Sequence, residues 1–119
     1  MTIGRWRIRL ARQAEIDYLK ILDASLERFG PRQADIYEGH MIAALTALEA
    51  GPNLRGSAKR DEVRLGLMTY HLARLGVSAR HLICYRADEA QVIDVLRILH
   101  DAMDLPRHIP EPPPEDLES

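Results

Sequence analysis

The sequence has a single cysteine, Cys84, and no apolar run long enough to span a membrane. One cysteine excludes an intramolecular disulfide and a zinc site built from four thiolates. A membrane helix needs about 18 or more consecutive apolar residues, which no window of this chain approaches. Residues 1–10 alternate arginine with apolar side chains, unlike the continuous apolar stretch of a secretory signal. We therefore expect a small cytoplasmic protein with no membrane contact.

Recognisable catalytic and cofactor-binding motifs are also missing. Gly51, Gly56 and Gly66 are too sparse for a phosphate-binding loop, and no serine occupies a Gly-x-Ser-x-Gly turn. The five histidines include neither a pair four residues apart nor a His-Glu-x-x-His motif, so they lack the spacing of a helical zinc site. Cys84 lies in a predicted strand, where we expect a small buried thiol. We expect no metal and no cofactor.

Charge is nearly balanced overall but unevenly placed. The chain has 16 Lys and Arg against 18 Asp and Glu, a net charge of −2. Four of the acids follow His108, which leaves residues 1–110 with 16 basic and 14 acidic side chains, a net charge of +2. A protein that binds RNA through many phosphates needs a more positive surface. The composition therefore favours a protein partner.

The sequence begins with a strand pattern. Residues 5–10 alternate arginine with Trp6, Ile8 and Leu10, and a period of two predicts a strand with one buried and one charged face. The arginine face either keeps a sheet edge soluble or meets an anionic partner.

Two amphipathic helices follow, and the sequence predicts that they form an antiparallel hairpin about 30 Å long. They meet at Gly30-Pro31, and the second ends at Gly51-Pro52. Apolar residues recur at three- and four-residue steps in both. The predicted stripes are Ala14, Tyr18, Leu22, Leu26 and Phe29 in the first helix, and Ala34, Tyr37, Met41, Ala44 and Leu48 in the second.

Strands return after a polar loop at residues 53–61. Residues 63–67 alternate apolar and other side chains and predict a strand, which residues 68–72 extend with a bend near Gly66. Residues 80–86 and 91–99 predict a hairpin closed at residues 87–90. Residues 100–104 are expected to leave the sheet, and Pro106 with the later prolines is expected to exclude regular structure.

The predicted fold class is therefore α+β with two layers. It comprises an N-terminal strand at the sheet edge, an antiparallel helical hairpin, and three to four further strands in an antiparallel sheet. We divide the chain into one domain at residues 1–109 and a flexible, proline-rich acidic tail at residues 110–119.

Polar side chains concentrate at residues 97–104, which contain Arg97, His100 and two carboxylates. The predicted hairpin brings Arg80, His81 and Tyr85 near the same strand. Such groups either form an ion-pair network within the fold or bind a partner, and an imidazole also serves as acid or base on RNA. For Asp104 with Arg97 we favour the structural interpretation.

Two segments resemble the C-terminal half of ParE toxins, in the ParE/RelE superfamily of type II toxin–antitoxin systems. They are residues 80–86 (RHLICYR) and residues 97–104 (RILHDAMD). The Ala11-x-x-Ala14-x-x-Asp17 pattern, Phe29-Gly30 and residues 52–56 agree with the N-terminal part. The resemblance spans about residues 5–109.

This resemblance implies a sheet carrying a helical hairpin and a cytoplasmic toxin that traps DNA gyrase without being an enzyme. It also implies a ParD antitoxin, of the ribbon-helix-helix type, whose C-terminal segment lies along the toxin and whose other half binds operator DNA. The residues that the resemblance assigns to partner or target binding are Arg64, Arg80, His81, Tyr85, Arg97, His100, Met103 and Asp104.

Two alternatives remain at this point. RelE toxins cut messenger RNA on the ribosome without a metal, and in that case His100, Arg97 and Arg80 are the expected catalytic residues. The other alternative is a toxin-like fold retained only as a binding module for its partner.

Overall fold

A helical hairpin packs on one face of a five-stranded sheet in the computed structural model, which describes residues 4–109. This arrangement confirms the predicted α+β class. The elements are β1 (Arg7–Leu10), α1 (Arg12–Phe29), α2 (Pro31–Ala47), β2 (Ala58–Lys59), β3 (Met68–His71), β4 (His81–Ala87), β5 (Val92–His100) and α3 (Leu105–His108), with 3₁₀ turns at Leu48–Ala50 and Leu72–Leu75.

The strands lie in the order β1-β5-β4-β3-β2. Strands β2 to β5 pair antiparallel, whereas β1 joins the free edge of β5 in parallel. The arginine face of β1 is partly neutralised, because Arg9 Nε donates to Asp94 Oδ1 at 2.6 Å and Arg5 Nη1 donates to Glu49 Oε1 at 2.9 Å. These pairs fit the interpretation of a charged sheet edge.

The main core lies between the hairpin and the sheet, and most of the predicted helix stripe contributes to it. Gly30 (φ 91°) ends α1, and Pro31 begins α2 as the junction predicted. Leu26 and Phe29 belong to the predicted apolar stripe but not to the core, since they are 49% and 66% exposed. The fully buried members of this core include Ala14, Met41, Ala44, Leu48, Ile83, Tyr85, Ile93 and Val95.

The predicted strand at residues 63–67 is wrong. This segment forms successive turns, and Leu65 at its tip is 84% exposed. Asp61 Oδ1 accepts the Gly66 N–H at 2.8 Å, and Gly66 has a φ of 84°, so the local turn overrides the alternating pattern. Strand β2 lies inside the predicted loop instead, where Lys59 pairs with Met68.

A smaller apolar cluster covers the second face of the sheet. The predicted two layers, hairpin and sheet, did not include it. Its buried members are Leu67, Cys84, Leu99 and Ile109. Cys84 is buried as expected, and burial raises the pKa of its thiol to about 12. The prediction that Pro106 excludes regular structure is wrong, because Pro106 lies in the first turn of α3. Backbone N–H groups in the first turn of a helix have no intrahelical acceptor, so proline is tolerated there.

His100 is also placed differently from the prediction, because it is still paired within β5 opposite His81. The tail predicted at residues 110–119 lies outside the described residues. Within residues 4–109, none of the helices has the length and apolar character needed to cross a bilayer.

A candidate partner-binding groove

Three histidines meet at one end of the sheet. Strand β3 ends at His71, β4 begins at His81 and β5 ends at His100. Because these strands pair antiparallel, all three histidines lie at the same end of the sheet. His81 and His100 are direct register partners, with ring centroids 5.3 Å apart in an edge-to-face arrangement. The ring of Tyr37, from the overlying α2, also packs edge-to-face against His81, with the centroids 5.5 Å apart.

Hydrogen bonds connect the hairpin to this end of the sheet. The Tyr37 hydroxyl lies 2.6 Å from His81 Nδ1 and accepts the Arg80 backbone N–H at 3.2 Å. Burial, followed by the nearby His100, lowers the pKa of His81 to about 4. The imidazole is therefore neutral at pH 7, and its Nδ1 shares a hydrogen bond with the Tyr37 hydroxyl.

Asp101 joins the other side chains of the cluster. His71 Nδ1 accepts the Ala73 N–H, so its Nε2–H is the donor that reaches Asp101 Oδ2 at 3.0 Å. Arg80 Nε lies 3.5 Å from the same carboxylate. The hydrogen bond from His71, together with the adjacent cation, lowers the pKa of Asp101. We call Tyr37, His71, His81, His100 and Asp101 the histidine cluster.

Beside the cluster, an open groove of about 670 Å³ runs between the hairpin and the sheet. Among the residues that the structure describes, its walls combine apolar and aromatic side chains with three cations and contain no Asp or Glu. The lining residues are Lys20, Ile21, Ala24, Ser25, Arg28, Phe29, Gln33, Tyr37, Ser78, Ala79, Arg80, His81, His100 and Met103. A groove with this lining suits an amphipathic acidic segment.

Arg97 belongs to a separate structure at the β5 edge. Its guanidinium makes a two-pronged ion pair with Asp17 of α1, with Nε to Oδ2 at 2.8 Å and Nη2 to Oδ1 at 2.9 Å. Its Nη1 donates to the His108 carbonyl at 2.9 Å, and Asp17 Oδ2 also accepts the Ile98 N–H at 3.0 Å. We call this arrangement the Asp17–Arg97 clamp, because it ties α1, β5 and α3 together.

The clamp is largely buried, with the Asp17 and Arg97 side chains 9% and 17% exposed. Burial acts to raise the pKa of the Asp17 carboxyl, but the hydrogen bonds from Arg97 and from the Ile98 N–H outweigh it and the pKa is lowered. Asp17 is therefore ionised, and its two carboxylate oxygens accept three hydrogen bonds from Arg97 and the Ile98 N–H.

The structure brings four of the eight predicted site residues together at the groove, namely Arg80, His81, His100 and Met103. Tyr85 lies in the core, where its hydroxyl donates to the Pro52 carbonyl at 2.6 Å.

The other three predicted residues lie elsewhere. Arg97 belongs to the clamp. Asp104 precedes α3, and its carboxylate is 3.7 Å from Arg107 and not paired with Arg97. Arg64 is in the turns at residues 60–67, where its N–H donates to the Arg60 carbonyl. In residues 4–109, no three His, Cys, Asp or Glu side chains are grouped so that they could hold a metal ion.

Comparison with known proteins identifies the family. Residues 8–105 match the family described as "ParE toxin of type II toxin-antitoxin system, parDE". The chain is a member of the ParE toxin family. Toxin ParE1 of Mycobacterium tuberculosis, from strains H37Rv and CDC 1551, is 30% identical over 106 residues, which span 89% of this chain and 98% of that protein. The chain is therefore a ParE-type toxin of a toxin–antitoxin system.

Two solved structures share the ParE fold of this chain. The chromosomal ParDE toxin–antitoxin system from P. aeruginosa aligns with a TM-score of 0.66 at 22% identity, over 81% of this chain and 96% of that one. The toxin–antitoxin complex RelBE2 from Mycobacterium tuberculosis aligns with a TM-score of 0.53 at 20% identity, over 86% and 98%. These similarities establish the fold.

Three residues of the histidine cluster and the Asp17–Arg97 clamp were not predicted as site residues of this ParE toxin, namely Tyr37, His71 and Asp17. Tyr37 falls in the predicted apolar stripe of α2, but its hydroxyl reaches the sheet end and contacts His81. No spacing pattern in the sequence distinguishes His71 from the other histidines. Asp17 lies 80 residues from Arg97 along the chain, and only the family pattern near the start of α1 singled it out.

Proposed function

We propose that this toxin inhibits DNA gyrase by direct, non-enzymatic binding and that a ParD-type antitoxin neutralises it. The observation that carries the non-enzymatic part is that Arg97 and the Nδ1 atoms of His81 and His100 already have hydrogen-bond partners within the fold. His81 Nδ1 is occupied by Tyr37, His100 Nδ1 accepts the Ala102 N–H at 3.0 Å, and Arg97 is held by Asp17. Side chains that satisfy one another serve shape and specificity better than proton transfer.

The rim of the groove supplies the proposed contacts with the target. The Arg80 side chain is 70% exposed and Met103 is 45% exposed, and they adjoin the partly exposed rings of His81 and His100. Arginine and large apolar side chains are the residue types that most often dominate the binding energy of protein interfaces. We therefore expect substitutions at Arg80 and Met103 to weaken target binding.

The antitoxin has two surfaces available. An amphipathic segment fits the groove, and an added strand can pair with the outer edge of β1. An interface of this kind usually buries on the order of 1,600 Å² or more. Operator DNA enters only through the ribbon-helix-helix half of the antitoxin. An open reading frame of that type beside the toxin gene, and rescue of growth when both are expressed, would support this assignment.

The gyrase proposal is tested by a supercoiling assay with purified enzyme. We expect the wild-type chain to inhibit supercoiling or to leave cleaved DNA, and Arg80→Glu to lose at least tenfold in potency, which corresponds to about 1.4 kcal/mol of binding. Arg86→Glu is the matched control, because Arg86 is an exposed arginine of β4 that does not line the groove. Gyrase that is unaffected at micromolar toxin would contradict the proposal.

The RelE-type alternative is favoured by one observation, the presence of His100 and Arg80 at the same groove. Arg97, the third residue expected in that reaction, is committed to the clamp. Primer extension on translated messages during growth arrest separates the two functions. Codon-dependent cuts that disappear with His100→Ala would establish the ribonuclease, whereas intact messages with damaged DNA would support gyrase as the target.

A further inference from the structure

Residues 110–119 lie beyond the family match, which ends at residue 105, and beyond the described residues. Their composition is unlike that of the domain. Within ten residues there are four carboxylates, no base and four prolines. The acids are Glu111, Glu115, Asp116 and Glu118, and the prolines are Pro110, Pro112, Pro113 and Pro114.

The groove has the complementary composition. Its three cations are Lys20, Arg28 and Arg80, and none of the lining residues within the described range 4–109 is an acid. Within residues 4–109, Lys20 and Arg28 form no ion pair, and Arg80 has only the 3.5 Å contact with Asp101. The positive charge of the groove is therefore largely unneutralised by the domain itself.

The groove also offers a surface for proline. Phe29 is 66% exposed there, and the rings of Tyr37, His81 and His100 follow one another edge to face. Consecutive prolines favour the extended polyproline II conformation, and such segments bind in grooves lined with aromatic rings because their conformation is already fixed.

The connection is long enough for the same molecule to supply the segment. Ile109 packs against Leu99 on the second face of the sheet, and the next residue of β5, His100, lines the groove on the hairpin face. Crossing from one face to the other requires about 10 Å. Ten residues in a polyproline II conformation reach about 31 Å, so the segment can pass around the end of β4 and β5.

We propose that residues 110–119 dock in the groove of their own chain, with the prolines against its aromatic rings and the carboxylates on Lys20, Arg28 and Arg80. The docking itself is independent of the target. One consequence rests on the proposed function. A partner that binds in the groove must displace this segment, so docking lowers the apparent affinity of the toxin for that partner.

A spin label tests the docking in the full chain. Ser119→Cys accepts a nitroxide selectively, because Cys84 is buried and its thiol has a pKa of about 12. We expect strong paramagnetic loss of amide signal at Ala24, Phe29 and Ala79, and little loss at Arg7 in β1, measured at low ionic strength. Undiminished amide signals along the groove would overturn the proposal.

Charge variants show whether the contact is specific. In the labelled chain, Lys20→Glu with Arg28→Glu should restore the amide signals, whereas the exposed control Arg86→Glu should leave them broadened. Neutralising the four acids (Glu111→Gln, Glu115→Gln, Asp116→Asn and Glu118→Gln) should restore them as well, without touching the folded domain. Broadening that persists in the neutralised chain would contradict the charge pairing.

Two further measurements separate the remaining outcomes. Mixing spin-labelled chain with isotope-labelled, nitroxide-free chain should give no broadening, and broadening in that mixture would assign the contact to a second copy and overturn the proposal. In the gyrase assay the tail-neutralised chain should inhibit at several-fold lower concentration. If gyrase responds to neither chain while the broadening persists, the proposed target fails and the docking stands.

Discussion

Two clusters of ionisable side chains flank β5, and they differ in how completely they are enclosed. The Asp17–Arg97 clamp is buried, and each strong donor and acceptor in it has a partner within the fold. The histidine cluster is also hydrogen-bonded internally, but it opens onto a groove with unneutralised cations. Members of both clusters lie close together in the sequence, at residues 97–104, which predicted a single polar site. The alternation of side chains along β5 separates them, because Arg97 and His100 are three residues apart and so project to opposite faces.

This difference suggests a division of roles. A closed, fully paired cluster stabilises a single arrangement of elements, and here it joins the first helix to the last strand and the short α3. An open cluster presents charge and aromatic surface to another molecule. Substitutions in the clamp should therefore change stability, whereas substitutions at the groove rim should change binding.

The largest effect is expected from Asp17→Asn. This change leaves the Arg97 guanidinium buried without a counter-charge, and we expect the free energy of unfolding to fall by about 3–5 kcal/mol. Chemical denaturation monitored by circular dichroism measures it. Arg9→Ala, which removes an exposed ion pair with Asp94, is the control and should leave the midpoint almost unchanged. Equal effects of the two substitutions would contradict the distinction between buried and exposed pairs.

A second prediction separates the clusters by pH. His81 has a folded pKa of about 4 against about 6.5 when unfolded, so the unfolded chain binds the proton more readily between these values. The free energy of unfolding should therefore fall by about 2–3 kcal/mol as the pH drops from about 6.5 to about 4. His81→Asn, which keeps an acceptor for Tyr37, should flatten that slope.

The clamp responds in a lower pH range. Because the folded pKa of Asp17 is lowered, its contribution is present above its unfolded pKa of about 3.9 and is lost as the pH falls through the folded value. Denaturation midpoints at a series of pH values, for the wild type, His81→Asn and Asp17→Asn, distinguish the two ranges. A wild-type curve that is flat down to pH 4 would refute the assignment to His81.

The smallest of the three effects is expected from Tyr85→Phe. The Tyr85 hydroxyl donates to the Pro52 carbonyl at 2.6 Å inside the core, and its removal should cost about 1 kcal/mol of stability. In the gyrase assay that tests the proposed function, Tyr85→Phe should match the wild type at a temperature where both chains are folded. If the folded Tyr85→Phe chain lost inhibition, Tyr85 would be a binding residue and not only a core residue.

Periodicity predicted the elements that depend on repeated burial. The helical hairpin, its Gly30-Pro31 junction and the β4–β5 hairpin all have strong patterns, and the pairing of that hairpin placed His81 near His100. The strand predicted at residues 63–67 is wrong, because an alternating pattern also arises in a loop whose shape is set by backbone hydrogen bonds and by Asp61.

The sequence pattern could not predict that Arg97 and His100 belong to two separate clusters. Asp17 and Arg97 are brought together by the packing of α1 on the sheet edge, and nothing local to either residue encodes that contact. Asp104 was the nearer candidate partner for Arg97 along the chain, but it precedes α3 and projects toward Arg107. Proximity in sequence therefore gave the wrong ion pair.

The parallel pairing of β1 with β5 has a consequence for synthesis. Arg9 and Asp94 are 85 residues apart, and β1 has no other strand partner in the described chain. A ribosome adds about 5–20 residues per second, so the first strand waits several seconds for its neighbour to be made. Pairing between distant segments also folds slowly. We expect the nascent toxin to acquire its complete sheet only after β5 has been synthesised, which leaves an interval in which a previously made antitoxin can meet it.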